Sequence, residues 1–243
     1  MEQKSPIHPP WGIIEALLVL VLVNLTAFMF RKFGSGFLLN IVELFPGGPT
    51  QLNQLLLSSI IQTGLFLSLI LFIVKLVHGQ DLKALGLVRN RLGYWLKIGL
   101  LNGIVLFISV VFLGALINYL VPIEVDPQPI TEIILKAETS WEIFIPFLVT
   151  AIFAPISEEL YFRGLLYPAL RRRIGVKWGI IVTSLIFGGL HYDLVRMIPL
   201  VFGGIWLNWL YEKSGTIYAP MMAHSAWNGI MCFLILYPLP TTL

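Results

Sequence analysis

The stretch YWLKIGLLNGIVLFISVVFLGALINYLV, from Tyr94 to Val121, has one charged side chain, Lys97, near its start and none in the 24 residues that follow. At ~1.5 Å per residue such a helix crosses the ~30 Å hydrocarbon layer of a bilayer, and a helix apolar all round has no polar face to turn to water. Outward from it, further spans are expected at 11–30, 52–77, 141–165, 177–191, 196–212 and 217–237. The sequence therefore predicts an all-α, polytopic transmembrane bundle of about seven spans, within a range of six to eight. Composition agrees. Of 243 residues 57% are hydrophobic and 12% charged, with a mean hydropathy of +0.86, whereas soluble domains carry about a quarter charged residues.

Turn chemistry separates the spans at Phe45-Pro46-Gly47-Gly48-Pro49 and from Pro122 to Pro129, and the short amphipathic segment from Ile130 to Ser140 suits an interface. The first apolar run, from Ile13 to Phe30, is longer than a signal-peptide core of ~7–15 residues and lacks a small-residue cleavage site, so it reads as a retained helix. A net charge of +3 and a pI near 9.0 do not indicate nucleic acid, because the basic residues sit in loops beside apolar runs. With seven spans, Lys4, Lys75, Lys83, Arg89, Arg91, Lys97, Arg171, Arg172, Arg173, Lys177 and Lys213 fall on the N-terminal side. Arg31, Lys32, Lys136 and Arg196 fall opposite. That bias predicts a cytoplasmic N-terminus, in the cell membrane if the chain is prokaryotic, and a C-terminus on the far side. The lone cysteine, Cys232, excludes a disulfide framework and a cysteine metal cluster.

The first three spans carry isolated polar residues such as Glu15, Asn24, Gln62, Asn102 and Asn118. The last four are broken by prolines and glycines and hold nearly all the intramembrane ionisable groups. Broken helices mark working regions in membrane proteins. Within them, Pro155-Ile-Ser-Glu158-Glu159-Leu-Tyr-Phe-Arg163 places two carboxylates and a guanidinium where each costs on the order of 3 kcal/mol to insert. Glu159 and Arg163 are spaced i, i+4 and pair on one helix face. Glu158 points about 100° away and is free to hold or deprotonate a water.

Alone, this motif also serves as a helix end in the headgroup region, and a histidine after Gly188-Gly189 also serves as an interfacial cap. Yet two of the four histidines, His191 and His224, fall in the same broken half, whereas His8 lies in the tail and His78 in a loop. His224 and Asn228 are again i, i+4. A base, a water-orienting group and oxyanion donors make an inventory for attack of water on a carbonyl. Depth conflicts with that convergence: from the basic loop, Glu158 and His224 lie ~10 Å in and His191 ~21 Å in. Helix tilt or a break at Gly188-Gly189 is needed to reconcile them.

Glu158-Glu159-x-x-x-Arg163, Phe187-x-x-x-His191 and His224-x-x-x-Asn228, in this order on separate helices, resemble the CAAX-processing and bacteriocin-processing (CPBP, or Abi) family of intramembrane proteases, which includes the type II CAAX prenyl endopeptidases. The lead-in Ser214-Gly-Thr-Ile-Tyr-Ala-Pro220 resembles that family's too, with Ser and Thr exchanged. Of two glycines expected on the sixth helix, one falls at Gly204 and the other is replaced by Asn208. The resemblance covers about 141–232. It divides the chain into N-terminal membrane helices without signature, 1–140, and a protease-like core, 141–237.

The resemblance implies that Glu158 activates water with His191, that Glu159 and Arg163 support the site, and that His224 and Asn228 stabilise the oxyanion. Glu158, Glu159, His191 and His224 are also the candidate ligands of a Zn²⁺ ion. The favoured reading requires no cofactor, since Arg163 and Asn228 hold oxyanion charge without a cation. The expected partners are membrane lipids and a peptide or lipidated protein substrate, whether a CAAX-type C-terminus, a leader peptide or a transmembrane segment. The chain's own end, Pro238 to Leu243, has no CAAX cysteine. Two other classes fit parts of the pattern. One is a proton-coupled transporter, which often shows broken segments in both halves rather than one. The other is a catalytically silent member acting in bacteriocin self-immunity.

Overall fold

The computed structural model describes residues 9–121 and 129–237. Lys4 and His8, the turn at 122–128 and the tail from 238 lie outside the described residues. The first helix, α1 (Ile13–Phe33), is followed by the short α2 (Ser35–Val42) and by a turn in which Gly47 and Gly48 adopt φ of +82° and +71°. Asn53 closes that turn by donating to the carbonyls of Pro46 and Gly48 at 2.8 and 2.7 Å. Thr50 caps α3 (Gln51–Leu71), which ends in a π-helical turn over Phe72–Val77. After a 3-10 turn at Leu82–Leu85 come α4 (Leu92–Leu120) and the short α5 (Pro129–Ile134).

From α6 (Ser140–Phe147) the backbone is helical as far as Gly189 except for a break at Gly175, through a π segment at Leu148–Phe153, α7 (Ala154–Glu159), a further π segment at Leu160–Leu166, and α8 (Tyr167–Gly189). α9 (Leu194–Ser214) and α10 (Tyr218–Leu236) follow. The two π segments of this stretch each lie just ahead of a proline, Pro155 or Pro168. A proline has no N–H for the carbonyl one turn back, and a widened turn accommodates the loss.

Among the described residues, six stretches are long and apolar enough to cross a membrane: Ile13–Phe30, Gln51–Val77, Leu92–Leu120, Ser140–Gly189, Leu194–Ser214 and Tyr218–Leu236. The chain is an integral, multi-pass helical membrane protein. The fourth stretch, at 50 residues, is about 75 Å of helix, too long for one crossing. It folds back at Gly175, whose φ of +79° and ψ of 173° belong to a region open essentially to glycine alone. The two arms then run antiparallel. A Cβ at Gly179 would lie 3.1 Å from the Arg171 Cα, and the rings of Phe162 and Phe187 meet at 5.1 Å.

Two spans are thus present where the sequence reading placed 141–165 and 177–191, but the first arm is longer than expected. Arg171, Arg172 and Arg173, read as loop, are helical, because charged side chains at a membrane boundary do not end a helix whereas a glycine at positive φ does. The correction removes the depth conflict. Glu158 lies seventeen residues before Gly175 and His191 sixteen after it, which puts both at ~25 Å along antiparallel arms. Neither tilt nor a break at Gly188-Gly189 is required, and the helix continues through both glycines.

Several contacts bind the N-terminal part of the chain to this hairpin. Trp11, fully buried, donates its indole N–H to the Leu165 carbonyl at 3.0 Å, and the Tyr161 hydroxyl reaches the Ala16 carbonyl at 3.2 Å. On the opposite flank α4 presses on α10 through Gly99 and Gly103. A Cβ at either would fall 2.5 Å from a backbone carbonyl, that of Ala219 or Ala223. This is the small-x-x-x-small spacing that lets membrane helices approach closely. The basic turns gather at one end, where Arg172 donates to the Pro9 carbonyl at 2.6 Å and Arg171 pairs with Glu212 at 2.6 Å.

Candidate active site

The site is built on one helical register. In α7 and the π segment after it, Glu159 and Arg163 stand four residues apart, both with fully buried side chains, and the Arg163 Nη1 donates to the Glu159 Oε1 at 2.8 Å. In a membrane interior neither charge has water to turn to, so each is held by the other. The second terminal nitrogen of Arg163 donates to the Gly204 carbonyl on α9 at 3.1 Å.

The same Glu159 Oε1 also receives Nδ1 of His224, from α10, at 2.8 Å. A carboxylate only accepts, so Nδ1 carries the proton, and Nε2 is the imidazole nitrogen left for chemistry. Nε2 faces the Glu158 Oε2 at 3.8 Å. Glu158 differs from its neighbour in being open: its side chain is 28% exposed, against 0% for Glu159. The result is a relay of Arg163, Glu159 and His224, each group oriented by the one behind it, ending against a carboxylate that remains accessible.

Phe187 is the hub between the arms. Its buried ring lies 5.2 Å from the Arg163 guanidinium, 5.9 Å from the His224 ring and 5.2 Å from the His191 ring. His191 lies just past the end of α8 and is exposed, and its Nδ1 is 2.9 Å from the Phe187 carbonyl. That carbonyl makes Nδ1 the donor, so a neutral His191 also presents a free Nε2. The structure joins Glu158, Glu159, Arg163 and His224 by polar contacts, and His191 reaches them through the Phe187 ring.

Asn228 stands one turn beyond His224 on α10. Its amide donates to the Thr150 carbonyl at 3.0 Å, in the π segment ahead of Pro155. Thr150 is the residue whose carbonyl a proline at position 155 leaves without a donor in an i to i+5 turn. Asn228 supplies the missing N–H and locks α10 to the helix that carries Glu158.

Zinc is the metal raised by the donor types. Among the described residues, no group of three His, Cys, Asp or Glu side chains converges as a metal ion requires. Glu159 directs its Oε1 at Arg163 and His224, leaving Glu158 and His224 as a pair, with His191 joined to them through the Phe187 ring, rather than the three converging protein ligands of a catalytic zinc. The residues as arranged do not fit the ion.

Sequence reading singled out the polar members of the site, Asn228 among them, but missed Trp11, Tyr161 and the contact of α4 with α10. The Gly99 and Gly103 spacing was a legible signal. Trp11 and Tyr161 carry none, because their partners are backbone carbonyls.

Residues 140–230 match the family model described as "Type II CAAX prenyl endopeptidase Rce1-like", so the resemblance read from the three motifs is borne out over that segment. Over 91 residues the chain is 30% identical to a protein of Bacillus subtilis (strain 168) named "Putative membrane peptidase YdiL", a match that covers 37% of this chain and 37% of that protein. No solved structure matches.

Proposed function

We propose that this chain is a membrane-embedded endopeptidase whose Glu158 activates a water for attack on a peptide carbonyl. The observation that carries this reading is the pairing of an accessible Glu158 with a His224 whose other nitrogen is fixed by a buried Glu159 and Arg163. Water held between Glu158 and the free nitrogens of His224 and His191 loses a proton to the Glu158 carboxylate as its oxygen bonds to the carbonyl carbon. His224, held by Glu159 through its Nδ1–H, keeps its Nε2 on the second hydrogen of that water throughout. The C–N bond then breaks, and the proton on Glu158 passes to the leaving amine.

The substrate class is a membrane-associated peptide, lipidated or spanning, a reading supported by the placement of Glu158 and His224 on stretches long and apolar enough to cross a membrane. The gathering of Lys and Arg at the Gly175 end supports a cytoplasmic placement of that end and of the N-terminus.

The test is cleavage of prenylated and membrane-embedded peptides by purified protein in detergent. Glu158→Gln and His191→Ala should each lose at least about 100-fold in kcat, the range of a positioned acid–base group, without loss of folding. Equal cleavage by wild type and both variants overturns the proposal.

A further inference from the structure

Among the described residues, four buried side-chain polar atoms have no hydrogen-bond partner: Glu159 Oε2, Arg163 Nε, Thr183 Oγ1 and Asn208 Oδ1. Two belong to the relay already described. The other two lie behind it, on α8 and α9, in a layer where apolar side chains would be the economical choice for a membrane protein. Asn208 is the position at which this chain departs from the glycine expected there. A fully buried carboxamide is costly to keep unless its hydrogen bonds accomplish something.

Its contacts show what it holds. Asn208 Nδ2 donates to the Gly204 carbonyl at 3.0 Å and to the Ser184 hydroxyl at 3.1 Å, and that hydroxyl donates in turn to the Ile180 carbonyl at 2.7 Å. The Gly204 carbonyl is also the acceptor for Arg163 Nη2, at 3.1 Å. Asn208 and Arg163 therefore meet at one oxygen. Gly204 makes the arrangement possible: a Cβ there would lie 3.0 Å from the Ser184 Cβ, so any larger residue separates α9 from the hairpin arm. Asn208 and Arg163 also bring complementary orphans to this layer, an acceptor oxygen and a donor N–H.

We infer that Asn208, with Ser184, is a positioning residue for the active site: it clasps α9 to the hairpin so that the Gly204 carbonyl fixes the guanidinium of Arg163, and through it Glu159 and His224. The inference rests on the peptidase reading for its kinetic consequence but not for its structural one. Asn208 touches no reacting atom. Its effect passes along the chain Gly204, Arg163, Glu159, His224, so it acts on the chemical step and leaves substrate binding alone.

The experiment has two arms. In the peptide-cleavage assay, Asn208→Ala and Ser184→Ala are each expected to lower kcat about tenfold, the rate equivalent of one buried hydrogen bond. KM should stay within about twofold, and the double variant should be no slower than the singles, because both cut the same clasp. Asn208→Gln, long enough to donate again, should recover part of the loss. In the second arm, thermal unfolding is followed for Asn208→Ala, Arg163→Gln and their double variant. Non-additive shifts in Tm are expected, since each substitution frees the carbonyl the other residue uses.

A folded Asn208→Ala with wild-type kcat, or a fall in kcat/KM carried by KM alone, overturns the positioning role, as do strictly additive Tm shifts. If the wild-type protein cleaves none of the peptides, it is the peptidase reading that fails. The unfolding cycle then still decides whether Asn208 acts on Arg163.

Discussion

Glu159 and Arg163 offer a measurement of how much a charge pair sealed in this bundle contributes, and of whether it is as isolated as the geometry says. Both side chains are fully buried, with Nη1 and Oε1 at 2.8 Å. Salt in the solvent reaches such a pair far less than it reaches a surface pair. Glu159→Gln leaves a buried guanidinium without its counter-charge, and Arg163→Gln leaves a buried carboxylate with only His224 beside it. Breaking a buried pair from one side costs about 3–5 kcal/mol. At ~2–4 °C per kcal/mol for a chain of this size, each single variant should unfold about 10 °C below wild type. The double variant carries no unpaired charge and should recover at least half of the summed loss. The assay is thermal unfolding of detergent-purified protein, followed by intrinsic tryptophan fluorescence at low salt and again at 1 M. Single-variant shifts of less than 2 °C, additivity in the double variant, or a strong salt dependence would each refute a sealed, mutually dependent pair.

The packing of α4 on α10 should be equally measurable: Gly103→Leu places a side chain where the Ala223 carbonyl stands 2.5 Å away, so it should displace the helix bearing His224, lowering both Tm and peptide cleavage, while Gly114→Leu, where no neighbour lies within 4 Å, should change neither. Asn228→Ala removes the donor to the Thr150 carbonyl and is expected to cost about 1–3 kcal/mol of stability; Asn228→Asp, which cannot donate, should not rescue it in the same unfolding assay. At the opposite end of the bundle, Asp193 caps α9, accepting the Arg196 backbone N–H at 2.9 Å and pairing with its guanidinium. Partial desolvation works against the charge, but the bonds from Arg196 prevail and hold the Asp193 carboxyl below its ordinary value. A group whose pKa is lowered on folding adds stability above its unfolded value, ~3.9, and loses it as the pH falls through the lower, folded one. Tm measured from pH 6 down to pH 3 should therefore fall less for Asp193→Asn, which keeps a capping side chain, than for wild type.

How much of this was legible in the sequence depended on whether a feature is a property of a residue or of a pair. Apolar run length is carried by single residues, so the membrane spans from Ile13 onward were readable one by one. The Glu159 and Arg163 pair was readable because helical periodicity alone brings i and i+4 together, whatever the rest of the fold does. What periodicity does not give is where a helix stops. Arg171 to Arg173 resemble a loop in charge, and only the backbone shows that the turn waits for Gly175, two residues beyond them. That small displacement carries a large consequence, since it decides whether Glu158 and His191 lie at one depth or about 10 Å apart.

The supports were hidden for a different reason. Trp11 on the Leu165 carbonyl, Asn228 on the Thr150 carbonyl, and Arg163 with Asn208 on the Gly204 carbonyl all use backbone oxygens as partners. Every residue has such an oxygen, so no side-chain pattern announces which one will be used. Two rules narrow the search in a membrane protein. A proline inside a span frees a carbonyl that some polar side chain must meet, and Pro155 accounts for Asn228 in this way. A glycine at a helix crossing exposes its carbonyl to a neighbouring helix, and Gly204 accounts for the meeting of Arg163 and Asn208. The polar residues of the broken half thus divide by what the breaks require, some answering a freed carbonyl and others, with Glu158 foremost, left over from that accounting. A polar group that the fold does not need for its own hydrogen bonds is the one available to a substrate.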